Sequence, residues 1–213
     1  MKTDDLIQVL AGGTAAVDRH VPTRRFSLAL LLGVVSATVL VALLLGVRSD
    51  LGDVARLPAF WLRQAFIIAV GAAALWVTLR LSRPGVRVAG GWTMLAVPVA
   101  AAWIGAALVL LDAPSEARMP LLLGQTWKVC SALIAMLSLP ALAAILWAVR
   151  GMAPVRLRLA GAAAGLLAGA TAAFAYCLHC PEMAPPFWST WYLLGMLVPS
   201  ALGALLGPRA LRW

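Results

Sequence analysis

Six apolar runs of roughly twenty residues, at about 26–46, 62–81, 89–111, 127–149, 157–178 and 188–207, constrain this chain more than any other feature. A helix needs roughly 20 apolar residues to cross the hydrocarbon core of a bilayer, so each run reads as one transmembrane helix. The first follows about 25 mixed residues and is longer than the ~7–15-residue core of a signal peptide, so it reads as a retained span. Hydrophobic residues make up 63% of the 213 and charged residues 12%, against roughly 25% charged in ordinary soluble domains. So few charged side chains cannot cover that much apolar surface, and lipid must be part of the solvent. The expected fold is all-α: a polytopic bundle of about six transmembrane helices over 26–207, with an N-terminal tail over 1–25 and a C-terminal tail over 208–213.

The net charge of +9 would suit a nucleic-acid partner if it were gathered on one surface. It lies instead in short clusters between apolar runs, without interleaved aromatics, so direct nucleic-acid binding is not expected. The clusters orient the chain. Lys2, Arg19, Arg24 and Arg25 precede the first run, Arg80, Arg83 and Arg87 lie between the second and third, Arg150, Arg156 and Arg158 between the fourth and fifth, and Arg209 and Arg212 after the sixth. These twelve of the seventeen basic residues share one side. On the other, Arg48, Arg56, Arg63, Arg118 and Lys128 are balanced by Asp50, Asp53, Asp112, Glu116 and Glu182. Cytoplasmic loops carry the Lys and Arg excess, so both termini are expected in the cytoplasm of a multi-pass bacterial inner-membrane protein.

Within the runs, Pro98, Pro140 and Pro199 are expected to kink their helices, which neighbouring helices make tolerable. Gly161, Gly165 and Gly169 recur every fourth residue and form one close-packing face. Arg63 and Lys128, just inside two runs, are expected to snorkel to the interface. Trp92, Trp127, Trp188, Trp191 and Tyr192 are expected there as boundary aromatics. No ionisable residue lies deep in a run and no inverted repeat is evident, so coupled transport has little support. No extramembrane piece is long enough for a soluble catalytic domain.

What chemistry remains lies on the outer face. Cys130 ends the motif Trp127-Lys128-Val129-Cys130 that opens the fourth run, and Cys177-Leu178-His179-Cys180-Pro181-Glu182 closes the fifth. A connection of about seven residues makes these runs antiparallel neighbours, so Cys130 reaches Cys177 or Cys180 if the Cα separation is within about 7 Å. In an oxidising compartment such thiols read as a sensor of oxidants or thiol-reactive metals, with the Lys128 cation favouring thiolate. His179 and Glu182 add imidazole and carboxylate to Cys130 and Cys180, a donor set suited to zinc, copper or cadmium but at no standard spacing. No resident cofactor is expected beyond such a metal arriving as the signal. Cys177 and Cys180 also have the Cys-x-x-Cys spacing of a thiol oxidoreductase, though without a second pair. The plainest alternative is that all three pack as small apolar residues near helix ends.

At the N-terminus Thr3 suits an N-cap, Asp4 and Asp5 the first turn, and Leu6, Ile7 and Leu10 share a face. Gly12 and Gly13 close this short amphipathic helix, and Ala15 to Pro22 form a joint to the first run. Two acids at its start disfavour an anionic lipid surface and favour a cytosolic protein partner, docking on Asp4, Asp5, Leu6, Ile7 and Leu10.

Several of these segments, taken together, resemble the six-helix membrane anti-sigma factors named negative regulator of sigma F. They are the opening Met1-Lys2-Thr3-Asp4-Asp5-Leu6-Ile7, the Trp127-Lys128-Val129-Cys130 motif, Leu178-His179-Cys180-Pro181-Glu182, and Trp191-Tyr192. The likeness runs through nearly the whole chain. It implies a non-enzymatic regulator whose cytoplasmic face holds an extracytoplasmic-function sigma factor. It also implies two outward-facing cysteines, by position Cys130 and Cys180, that respond to heavy-metal or oxidative stress. Cys177 departs from that two-cysteine pattern, as an alternative partner or a spare. The competing readings are a membrane thiol oxidoreductase using Cys177 and Cys180, and a small transporter.

Overall fold

The computed structural model describes residues 3–12, 20–86 and 88–212, and among them the regular structure is helical throughout. The N-terminal segment forms α1 (Thr3–Gly12), on which Asp4, Asp5 and Ile7 are exposed. The side chains of Leu6 and Leu10 lie outside the described ones. The first apolar run becomes α2 (Val21–Leu40), which begins before the run itself because Pro22, in its first turn, has φ already set for a helix. The end of α2 widens into a π-helical turn, Val41–Leu45, where the Gly46 N–H donates to the Val41 carbonyl at 2.9 Å. Gly46 then ends the helix with φ +80°, a left-handed conformation that other residues rarely adopt.

A short α3 (Leu51–Val54) leads into α4 (Pro58–Leu81), followed by α5 (Gly91–Asp112) and α6 (Ser115–Leu123). The fourth run, expected as one helix, is divided into α7 (Trp127–Leu137) and α8 (Leu139–Arg150). Pro140 has no N–H to donate, and Ser138 turns its hydroxyl onto the Ala135 carbonyl at 2.6 Å, so the helical ladder is interrupted between them. The chain ends with α9 (Leu157–Tyr176) and α10 (Pro185–Ala210). Pro98 and Pro199 lie inside α5 and α10 without interrupting either. Among the described residues, six helical stretches are long and apolar enough to cross a membrane: 21–45, 58–81, 91–112, 115–150, 157–176 and 185–210.

The core is built round α9. Fourteen of its twenty residues are buried, nearly all of them Ala or Gly, and α10, α4, α2 and α8 pack against it. The glycine face meets matching glycines on α10. A Cβ on Gly161 or on Gly203 would collide with the other's carbonyl oxygen, and one on Gly165 with the Pro199 carbonyl. At Gly169 it would stand 2.7 Å from the Met196 Cα. The two helices therefore touch backbone to backbone, which only the absence of side chains permits. Outward faces are apolar, with Leu43, Val97, Leu108, Leu111 and Leu205 among the most exposed side chains. The long helices alternate in direction, so the end of α2, the beginnings of α4, α7 and α10 and the end of α9 converge at one end of the bundle. Arg25, Arg83, Arg156, Arg158, Arg209 and Arg212 lie at the other.

Candidate functional site

All three cysteines meet at the first of these ends, as free thiols without solvent exposure. Cys130 lies in the first turn of α7, Cys177 caps the C-terminus of α9, and Cys180 follows in the connection to α10. Cys130, Cys180 and Tyr176 lie close enough that each acts on the charge of the others. Cys177 turns instead to Tyr192, donating to its hydroxyl at 3.9 Å. The Thr126 hydroxyl stands 4.0 Å from the Cys180 sulfur. Cys180 and Cys177 both act on Cys130, Cys180 the more strongly. Trp188 and Tyr192 are not boundary aromatics: both are buried, Tyr192 with its ring 5.8 Å from Tyr176 and Trp188 5.2 Å from Phe66. Trp92 is more than half exposed.

The cation that serves this cluster is Arg63, which does not snorkel. Its side chain is fully buried, and it donates to the carbonyls of Cys177 at 3.3 Å, Cys180 at 3.4 Å and Glu182. Those carbonyls end α9 or follow it, where a helix leaves acceptors unpaired and carries partial negative charge, so a guanidinium there satisfies both needs. The faces of Phe60 and Tyr192, each 5.6 Å from its central carbon, complete the cage. Among the described residues no carboxylate pairs with Arg63; neighbouring Arg48 pairs with Asp50, at 2.7 Å. Lys128, the expected source of positive charge, is exposed and stands over the Trp127 ring. A single arginine five residues into an apolar helix was the available signal for Arg63, since charge inside a span usually has a specific partner.

Hydrogen bonding sets Cys180 apart. The Cys130 thiol, then the Tyr192 hydroxyl and the Glu182 backbone N–H, hold the Cys180 thiol below the ordinary thiol range, with the Arg63 charge adding to the effect. Burial opposes this and does not overcome it. Arg48 fastens the same segment from the α2 side: its backbone N–H donates to the Leu178 carbonyl at 3.0 Å and its guanidinium to the Cys180 carbonyl at 3.1 Å.

Cys130, Cys180, His179 and Glu182 are not drawn into one donor group. His179 donates through Nδ1 to the Gly46 carbonyl at 2.9 Å, and the Glu182 carboxylate accepts from the Gln125 N–H at 2.7 Å. Among the described residues no three His, Cys, Asp or Glu side chains are placed to hold a metal ion together. What the site offers is a close thiol pair, sealed by aromatic rings and held by one buried arginine.

The family described as negative regulator of sigma F matches residues 10–213. The chain belongs to this family. It is 50% identical over 213 residues to the probable anti-sigma-F factor of Azospira oryzae, and 41% identical over 214 residues to the anti-sigma-F factor of Caulobacter vibrioides. Each comparison covers the whole of both chains. No solved structure matches. The negative regulator of sigma F family consists of regulators and not enzymes, which removes the thiol-oxidoreductase reading of Cys177 and Cys180.

Proposed function

We propose that this chain is an inner-membrane anti-sigma factor that holds an extracytoplasmic-function sigma factor at its arginine-rich, cytoplasmic end. It releases that factor when Cys130 and Cys180, on the periplasmic side, are modified by heavy-metal or oxidative stress. The observation that carries the reading is the full-length relationship to chains named as anti-sigma-F factors. On the cytoplasmic side α1 offers Asp4, Asp5, Leu6, Ile7 and Leu10 as the contact, with acids and apolar groups on one short helix.

The thiol pair supports the sensing half. A soft metal ion would bridge the two sulfurs with loss of their protons. A two-electron oxidant would take two electrons and two protons from them and leave an S–S bond. Either event alters the Cys130–Cys180 spacing, and Cys180 sits in a segment fastened to α4 by Arg63 and to α2 by Arg48. Movement there is shared by the helices that run to the opposite end. Release then requires two packings of the bundle with different affinity for the sigma factor.

Cys130→Ser combined with Cys180→Ser is expected to repress a sigma-dependent reporter as fully as the parent and to lose its induction by cadmium or a thiol oxidant. Cys177→Ser is expected to keep that induction. Full induction in the double variant would remove the cysteines from the mechanism.

A further inference from the structure

The arginine-rich end contains a cleft of about 460 Å³ between the beginning of α9 and the end of α10, lined by Arg158, Ala204, Leu205, Pro208, Arg209 and Arg212. Three arginines line it, and among the described residues no Asp or Glu does. None of the three has an ion-pair partner among the described residues. An arginine cluster left unpaired repels itself, and an anion relieves that repulsion.

The shape of the cleft narrows the choice of anion. Its walls are fixed, because α9 and α10 are in backbone contact just inside it, at Gly161, Gly203, Gly207 and Leu157. One wall is apolar: Leu205 is 71% exposed and continues into the outward strip of Leu202 and Leu206. A ligand there meets arginines at its head and an apolar helix face along its length. That is the profile of an amphiphile at the level where a spanning helix leaves the bilayer. An acidic protein surface would match the charge and leave the apolar wall unused.

We infer that this cleft is a binding site for one anionic phospholipid, whose phosphate the three arginines hold while an acyl chain lies along Leu205. The site rests on the membrane placement of the helices and not on the sigma-factor reading. A basic residue near an anionic headgroup contributes roughly fivefold in affinity, so three give a preference of about a hundredfold over a zwitterionic lipid.

The test uses the full-length chain purified in a neutral detergent, with phosphatidylglycerol and phosphatidylcholine offered in turn and retained lipid counted by native mass spectrometry. The parent is expected to keep one phosphatidylglycerol and no phosphatidylcholine. Arg158→Gln, Arg209→Gln and Arg212→Gln together should lose that preference at least tenfold. Arg83→Gln with Arg156→Gln, in a separate cleft beside Val155, should keep it. Equal retention of both lipids by the parent, or undiminished retention by the triple variant, would overturn the site. Displacement of the lipid by inorganic phosphate would overturn the assignment to an amphiphile. Loss of sigma-factor capture in the triple variant with lipid preference intact would assign the cleft to a protein instead.

Discussion

Replacing Arg63 with alanine is expected to loosen the thiol end of the bundle more than any other single side-chain truncation. The change leaves the Cys177 and Glu182 carbonyls without their donor and the Cys180 carbonyl with Arg48 alone. It also empties a fully buried space between Phe60 and Tyr192. An unpaired buried acceptor costs about 1–3 kcal/mol, and water can reach part of this segment once it opens, so a net loss of about 3–5 kcal/mol is expected. The thermal midpoint in detergent should fall, and Cys180, sealed in the parent, should become modifiable by a maleimide. Arg63→Lys keeps the charge but not the planar fork that serves three carbonyls, and should lie between. A parent-like midpoint with Cys180 still protected would mean that the arginine is a bystander.

The role of Arg63 also marks where the sequence stopped being legible. The six spans and the basic end follow from local composition, because span length and loop charge are read one segment at a time. The α1 helix follows similarly from Thr3, Asp4 and Asp5. The place of Arg63 depends on a non-local fact, that the end of α9 comes to rest against the beginning of α4. Interfacial snorkelling is the default for an arginine near a span end, and it fails here because unpaired carbonyls lie closer than water. The Cys130 to Cys180 proximity was partly legible, since antiparallel neighbours bring their outer ends together, but spacing did not decide between Cys177 and Cys180. Only the packing shows Cys177 bonded to Tyr192 and Cys180 acting the more strongly on Cys130. The division of the fourth span was half visible: Pro140 suggested a kink, whereas the Ser138 hydroxyl bond that helps make it a break is a tertiary choice of rotamer. On α10, Gly203 and Gly207 are spaced like the glycines of α9 and carried the same signal.

The second large effect is expected at Gly165. Any Cβ there meets backbone atoms of Pro199 and Ser200, which cannot turn aside as a side chain would. Gly165→Ala is expected to cost about 1–3 kcal/mol, in the range of overpacked cores. Gly165→Leu should prevent α9 and α10 from closing and leave a chain that aggregates on extraction. Gly105→Leu is the control, since a Cβ at Gly105 meets open space, and it should extract and melt like the parent. Thermal melts and size-exclusion profiles of the three variants in one detergent measure this. A well-behaved Gly165→Leu protein would show that the α9–α10 contact is not the axis of the bundle.

A sigma factor held at the membrane by this chain should follow it through fractionation. The full-length chain is co-expressed with a sigma-F factor, and the sigma factor is followed between membrane and soluble fractions. It is expected in the membrane fraction with the parent chain, in the soluble fraction when Leu6, Ile7 and Leu10 are all changed to aspartate, and in the soluble fraction after cadmium treatment of the parent. A sigma factor that stays soluble beside intact, membrane-inserted parent chain would mean that this chain does not hold it.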